Sequence, residues 1–534
     1  MKHSKASQFT LLFLVIAVAT SVAQAQTFTD LFDFDGTAHG CCASYPGVLA
    51  QGRDGNLYGT TLQGGANGRG TVFKATLSGT VTVLHSFNVT DGMGPQGGLT
   101  LGMDGNFYGT TNGGGANSKG TVYKVTPSGT YTVIHDFTGT GDGGFPHASP
   151  IAAPDGNLYG PAGLGSSGII YKITPTGTLT PIATLGLESD STLTLGVDGK
   201  LYGVTQVGGT NNRGTVFSVT TAGVLKTIFS FNDPTGATPY GPILQAVDGN
   251  FYGTSYTGGS AGGGVVYKMT PAGVFTVIHN FDSSNRALGI NPITGMVQGS
   301  DGFLYGVTAG GGASFGGTIF KLKTDGSSFA VVHSFDVTHG SSPYSLPTLH
   351  TNGKIYGLTN LGGAHNDGTL YSLANGLKSF ASPVVRKSAK VGVTVGILGQ
   401  NLTTTTQVLF GTGAGTFTAS SNTYMTAKIV AGATTGQITV KEPGGNLLSP
   451  QKFKIVPSIT SFTPPNGPVG TSVIITGVSL SQTTAVKFNG KAATFTVNSD
   501  TQVSATVPTG ATTGKISVTT QGGTATSTTN FTVN

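Results

Sequence analysis

The chain has no tryptophan, and its only two cysteines are neighbours, Cys41 and Cys42, among 534 residues. A disulfide framework and a cysteine-rich metal module are both excluded by that count. Charge is scarce too: Asp, Glu, Lys and Arg make up 9% of the chain, and no basic motif is interleaved with aromatics. Nothing therefore points to nucleic acid as a partner. Long apolar runs are missing beyond residue 25. The run Leu11 to Ala19 is too short to span a bilayer comfortably. With Lys2 and Lys5 before it and Ala23-Gln24-Ala25 after it, it reads as a secretory signal cut after Ala25. No cysteine at the cut is placed to take a lipid, and "TTNFTVN" at the far end alternates like a strand. The expectation is an exported protein, extracellular or on the cell surface or else periplasmic, with no transmembrane segment in the mature chain.

What is present in quantity is glycine, 87 residues without the three-residue period of collagen, together with 29 Phe and 17 Tyr that can fill a core. The octapeptide DGNLYGTT from Asp54 returns as DGNFYGTT, DGNLYGPA, DGKLYGVT, DGNFYGTS, DGFLYGVT and NGKIYGLT. Its tyrosines are Tyr58, Tyr108, Tyr159, Tyr202, Tyr252, Tyr305 and Tyr356, spaced by 50, 51, 43, 50, 53 and 51 residues. Short alternating segments between Gly-rich turns at that period predict β-propeller blades. In the second copy, strands are expected over 97–103, 106–111, 121–126 and 130–137. Asp104-Gly105 forms the first hairpin turn, where glycine supplies positive φ. The tyrosine reads as blade-to-blade packing with its hydroxyl on a backbone partner. Residues 27–34, TFTDLFDF, match a fourth strand, which the seventh copy lacks. The N-terminal segment is therefore expected to complete the last blade and remove its open edge.

The repeat "LYGTTxxGG … GTVFK … VLHSF" resembles the GloVer-type tandem repeat of exported bacterial proteins over residues 27–380. That resemblance implies export and no assigned activity. Past residue 383 a new period begins. VGVTVGILGQNL (391–402) aligns with VGTSVIITGVSL (469–480), and GATTGQITV (432–440) with GATTGKISV (510–518), both at an offset of 78 residues. Alternating strands in each unit predict β-sandwiches. The second unit, from PSITSFTPPNGP, resembles the IPT/TIG immunoglobulin-like family, whose members are mostly spacers or interaction modules. The expected organisation is all-β: signal peptide 1–25, seven-bladed β-propeller 26–382, a degenerate IPT/TIG-like domain 383–456 and an IPT/TIG-like domain 457–534. Charge divides along the same line. Residues 26–382 hold 15 Lys and Arg against 19 Asp and Glu, and residues 383–534 hold 10 against 2. The basic tail reads as solubilising lysines on strands or as a surface for anionic envelope polymers.

Candidates for chemistry are few. His85, His135, His279 and His333 recur in the fourth strand, but other copies place Phe32, Ala183 and Phe229 there; a position that accepts Phe or Ala is a packing position. No zinc motif, EF-hand loop or Ser-His-Asp signature is found, and no cofactor is expected. Adjacent cysteines hold their Cα atoms about 3.8 Å apart, closer than an ordinary disulfide needs. Cys41 and Cys42 are therefore either a strained vicinal disulfide or a thiol pair. Quinoprotein dehydrogenases place a vicinal disulfide over their cofactor, but their tryptophan-centred repeat has no counterpart here. The loops after the second strands place Asn67 and Arg69, Asn117 and Lys119, and Asn211 and Arg213 at equivalent positions. These side chains suit sugar hydroxyls or anionic groups; alternatively the loops are turn formers carrying solvated cations. Asp142, Asp233 and Asp367 are expected on the same face.

The reading is a non-catalytic binding protein of the envelope or extracellular space, meeting a polysaccharide or a cell-surface protein. The alternatives are a glycoside hydrolase or lyase on the propeller and a structural spacer.

Overall fold

The computed structural model of the protein describes residues 26–42, 47–163 and 168–534, so the signal reading of residues 1–25 lies outside the described residues. Among the described residues up to Ala374, seven four-stranded antiparallel sheets form, six of them in simple chain order. The second runs Thr100–Leu101, Phe107–Thr111, Thr121–Val125 and Tyr131–Asp136. Its middle strands are buried almost throughout, because each sheet is covered on both faces by its neighbours. One core cluster joins Tyr58 and Val72 of the first sheet to Phe107 and Tyr123 of the second, with Tyr58 stacked on Phe107 at 3.9 Å. The first strands are shorter than the alternation suggests. Gly98 turns left-handed (φ 78) before Thr100, and its neighbourhood pairs across the ring instead of along the blade.

That cross-blade pairing closes the ring. Val48 bridges to Gly98 on one side and to Leu346 on the other. Thr27–Asp33 adds as the outer strand of the last sheet, beside Thr369–Ala374. The fold is thus an all-β propeller whose last sheet joins the start of the chain to its seventh repeat.

The repeated Asp does more than turn the hairpin. Gly55 adopts φ 79, and Asp54 accepts the backbone N–H of Asn56 on one oxygen and the Tyr58 hydroxyl on the other, at 2.8 Å. The same Tyr–Asp bond recurs at Tyr108, Tyr159, Tyr202, Tyr252 and Tyr305, over 2.6–2.9 Å. In the seventh copy the Asn352 amide donates to the Tyr356 hydroxyl. The expected backbone partner for the tyrosines is thereby corrected. A buried phenol needs an acceptor, and the turn carboxylate four residues upstream reaches it first.

The fourth-strand histidines pack in the same serial way. His85 stacks on Tyr131, His279 on Phe329 and His333 on Phe28, all at 3.7–3.8 Å and within 5° of parallel. Phe229 stacks on Phe275 identically, so an imidazole and a phenyl ring are interchangeable there.

Beyond the ring, an eight-stranded sheet spans Ser382–Pro383 to Gly445–Ile455. Two further sheets run between Ser458–Thr463 and Gly523–Val533. Their cores correspond at the 78-residue offset: Val395 with Val473, Ile397 with Ile475, Phe410 with Phe488 and Phe453 with Phe531, all buried. The first sandwich lies across the Asp-Gly-turn face of the ring. Thr423 donates to the Arg53 carbonyl at 2.7 Å, and the Arg53 guanidinium lies over Tyr424. Lys387 donates to the Leu195 carbonyl, Lys454 to Val197 and Gln451 to Gln245. Two of the tail's cations are therefore spent on ring carbonyls. An apolar cavity of about 500 Å³ remains between ring and sandwich, lined by Val48, Leu244, Leu346, Phe380 and Phe453 among others. Lys387 also faces it, its ammonium pushed down to about 8 by burial.

Candidate functional site

With the turn face covered, the other face of the ring carries the loops after second strands and the connections that run from each outer strand to the next inner one. The two sets lie against each other: Met93 bridges to Gly113, Ala237 to Thr257, Ile290 to Gly310 and Ser341 to Leu361. Cys41 occupies this scaffold position in the first sheet, bridging to Gln63. Cys42 is left-handed at φ 63, as Thr238, Asn291 and Ser342 are at the equivalent place. Cys41 is buried and Cys42 half-buried, with no bond between their sulfurs in this structure. Burial and then the neighbouring Cys42 push the Cys41 thiol up to about 12, which leaves it protonated and unreactive.

The predicted loop residues are found on this face, at its rim. The Asn67, Asn117 and Asn211 amides each donate to the carbonyl of their own fourth strand, at Ser86, Phe137 and Phe231, over 3.1–3.4 Å. They staple the loops to the blades. Arg69 is exposed. Lys119 lies over the Phe145 ring at 4.7 Å, and Arg213 pairs with Asp233 at 2.7 Å, both well exposed. The three cations sit on the loops of the first, second and fourth sheets and are not brought together. Asp142 accepts from Thr138 and His135, and Asp367 holds the loop position that Arg69 and Arg213 hold elsewhere. Phe315, at a neighbouring loop tip, is 69% exposed.

Convergence occurs nearer the axis, among residues the sequence reading passed over. Each connection delivers one side chain four residues before the inner strand: Gln96, His147, Asp190, Tyr240, Ile293 and Tyr344. The first sheet's counterpart, Pro46, lies outside the described residues. A second tier follows directly on the second strands and includes Gln206 and Tyr256. The two tiers touch. His147 Nδ1 lies 2.6 Å from Asp190 Oδ1 and 3.2 Å from Glu188 Oε1, and the Gln206 amide donates to the other Asp190 oxygen. Tyr240 and Tyr256 meet edge to face at 5.6 Å. The Tyr240 hydroxyl is raised above its ordinary range by burial and then by the charge of Asp190. Burial, then the proximity of Tyr256, raises Tyr344 likewise. His147 is pulled down by burial, but Asp190 and Glu188 outweigh that and hold it above the ordinary imidazole value.

The signal for these residues was legible only in retrospect. A proline recurs in the connections (Pro95, Pro146, Pro239, Pro292, Pro343), and the residue after it is Gln96, His147, Tyr240, Ile293 or Tyr344.

Comparison with known proteins matches the Gloeobacter/Verrucomicrobia repeat over residues 18–194 and 188–425, and an IPT/TIG domain over 457–533. No curated protein matches the chain. Among solved structures it is similar to a fungal alcohol oxidase of the AA5 family in complex with copper, at 13% identity and a TM-score of 0.43, covering 78% of this chain and 98% of that one. It is similar to a protein of unknown function from Bacteroides thetaiotaomicron, at 18% identity and 0.37, covering 66% and 76%. It is also similar to the surface glycan-binding protein PbSGBP-B from Prevotella bryantii, at 16% identity and 0.23, covering 28% and 41%. At these scores the likenesses carry no functional weight.

Proposed function

This chain belongs to the Gloeobacter/Verrucomicrobia repeat family, and from that premise we propose that it is an exported polysaccharide-binding protein whose ligand enters the axial mouth on the loop face. The observation that carries this reading is the varied chemistry at positions that the repeat makes equivalent. The hairpin glycine and its tyrosine recur in every copy, whereas the axial tier holds Gln96, His147, Asp190, Tyr240, Ile293 and Tyr344. Tyrosine faces suit the apolar face of a sugar ring, and carboxylate, carboxamide and imidazole groups suit its hydroxyls. The opposite face is closed to a polymer by the first sandwich. Export supplies the compartment in which such a polymer is met, and rests on residues 1–25.

A glycosidase would need two carboxyl groups flanking a bond, about 5–9.5 Å apart. Glu188 and Asp190 instead crowd one imidazole, their donor atoms within 4.8 Å, which favours binding over hydrolysis. The test is a bacterial and plant polysaccharide array probed with the full chain, with release of reducing ends followed on each hit. Binding without release, lost in Tyr240→Ala and Tyr256→Ala, supports the reading. Released ends would make it an enzyme. Binding unchanged in both variants, or captured only by a surface protein, would sink the axial mouth as a glycan site.

A further inference from the structure

We propose that His147, Glu188 and Asp190 form a divalent-cation site, one imidazole and two carboxylates holding an ion of the zinc or manganese class at the edge of the axial mouth. The three donor atoms, from the connections into the third and fourth sheets, lie within 4.8 Å of one another. Ligands about 2.0–2.2 Å from one ion are separated by no more than about twice that length. His147 Nδ1 is 2.6 Å and 3.2 Å from the two carboxylate oxygens, so all three donors are gathered within the reach of one ion. Two carboxylates beside one imidazole carry two negative charges, which a dication balances. Imidazole with carboxylate oxygens is a donor set for zinc and manganese rather than for soft, thiolate-seeking ions.

Two further features separate this cluster from a chance ion pair. The Gln206 amide donates to Asp190 Oδ2, fixing the carboxylate and leaving Oδ1 toward His147, as the outer partners of metal ligands do. The connection into the fourth sheet also departs from the repeat. It lacks the recurring proline and reads Glu188-Ser189-Asp190, and the buried Ser189 hydroxyl donates to the Val204 carbonyl at 2.8 Å. Pinning the middle residue holds both flanking acids against His147. Three protein ligands leave coordination positions open, and vicinal sugar hydroxyls are suited to fill them; only this last point rests on the polysaccharide reading.

The test is calorimetric titration of the chelator-stripped full chain with zinc chloride and, separately, manganese chloride, with no glycan present. One ion per chain is expected for at least one of the two. His147→Ala and Glu188→Gln should abolish it, and Gln206→Leu should weaken it about tenfold. Should His147→Ala fail to fold, the visible spectrum of the cobalt-loaded chain, lost in Glu188→Gln, gives the same information. The double variant Cys41→Ser/Cys42→Ser should bind as the parent does, since Cys41, Cys42 and Asp367 form the other three-donor group among the described residues. No binding of either ion by the parent, binding that survives His147→Ala, or binding lost with the cysteines would overturn the proposal. Loss of glycan binding with the ion retained would sink the polysaccharide reading and leave this one standing.

Discussion

The two faces of the ring are built from the same repeats and obey opposite rules. On the turn face six of seven copies present the same Asp-Gly hairpin, the seventh having Asn352-Gly353, and the same six present the same phenol-to-carboxylate bond. On the loop face the corresponding inner positions among the described residues carry an amide, an imidazole, a carboxylate, two phenols and one isoleucine. Repetition on the turn face serves stability, because each tyrosine both fills the interface with the next blade and finds its acceptor within its own hairpin. It also gives the first sandwich a regular row of carbonyls to dock on, at Arg53, Leu195, Val197 and Gln245. Variation on the loop face has no such benefit, since any of the repeat's own residues would serve the fold there. A repeat protein thus separates what holds it together from what it offers to a partner.

The sharpest way to break this contrast is to truncate one tyrosine on each side. Tyr252, fully buried, should cost about 3–5 kcal/mol as Tyr252→Ala, read by denaturant unfolding. Tyr240→Ala, half-buried at the mouth, should cost no more than about 1 kcal/mol while removing glycan binding. Equal losses of stability would erase the distinction. Tyr252→Phe keeps the packing and deletes the hydroxyl's bond to Asp248 and its longer one to the Thr324 carbonyl; about 1–2 kcal/mol is expected, since the main acceptor is ionised.

Acid should act on the scaffold in a defined window. Burial pushes His279 down to about 4 and, chiefly, does the same to His333, so both stay neutral in the fold at pH values where the unfolded chain, near 6.5, takes up protons. Their contribution is whole above about pH 6.5 and is lost as pH falls toward 4. The double variant His279→Phe/His333→Phe, which copies the stacking of Phe229, should flatten the fall in melting temperature across that window. An unchanged slope would mean that other groups set it. The smallest effects belong to the loop rim. Arg69→Ala should change stability by less than about 0.5 kcal/mol, and Arg213→Ala, in an exposed ion pair, by about 0–1 kcal/mol.

Much of the scaffold was legible because it is local and repeated. The Asp-Gly turns, the strand closing the last sheet and the 78-residue correspondence of Phe410 with Phe488 each follow from spacing alone. The tyrosine's acceptor was misjudged because a side-chain partner four residues away looks, in sequence, like a turn former already satisfied. His147, Asp190 and Tyr240 were missed for a different reason. They are 43 and 50 residues apart and become neighbours only when the ring brings consecutive connections to one axis. Asn67, Asn117 and Asn211 were legible as equivalent residues, but their equivalence reflects one shared bond to the backbone of each blade.

The most direct measurement is amide hydrogen exchange of the full chain with and without a polysaccharide that binds it. Slowed exchange is expected in the connections around 144–148, 188–192, 237–241 and 341–345, and none in the turns around 54–56, 104–106 and 248–250. Protection confined to the turns or to the sandwiches, with the connections unchanged, would contradict the assignment of binding to the loop face.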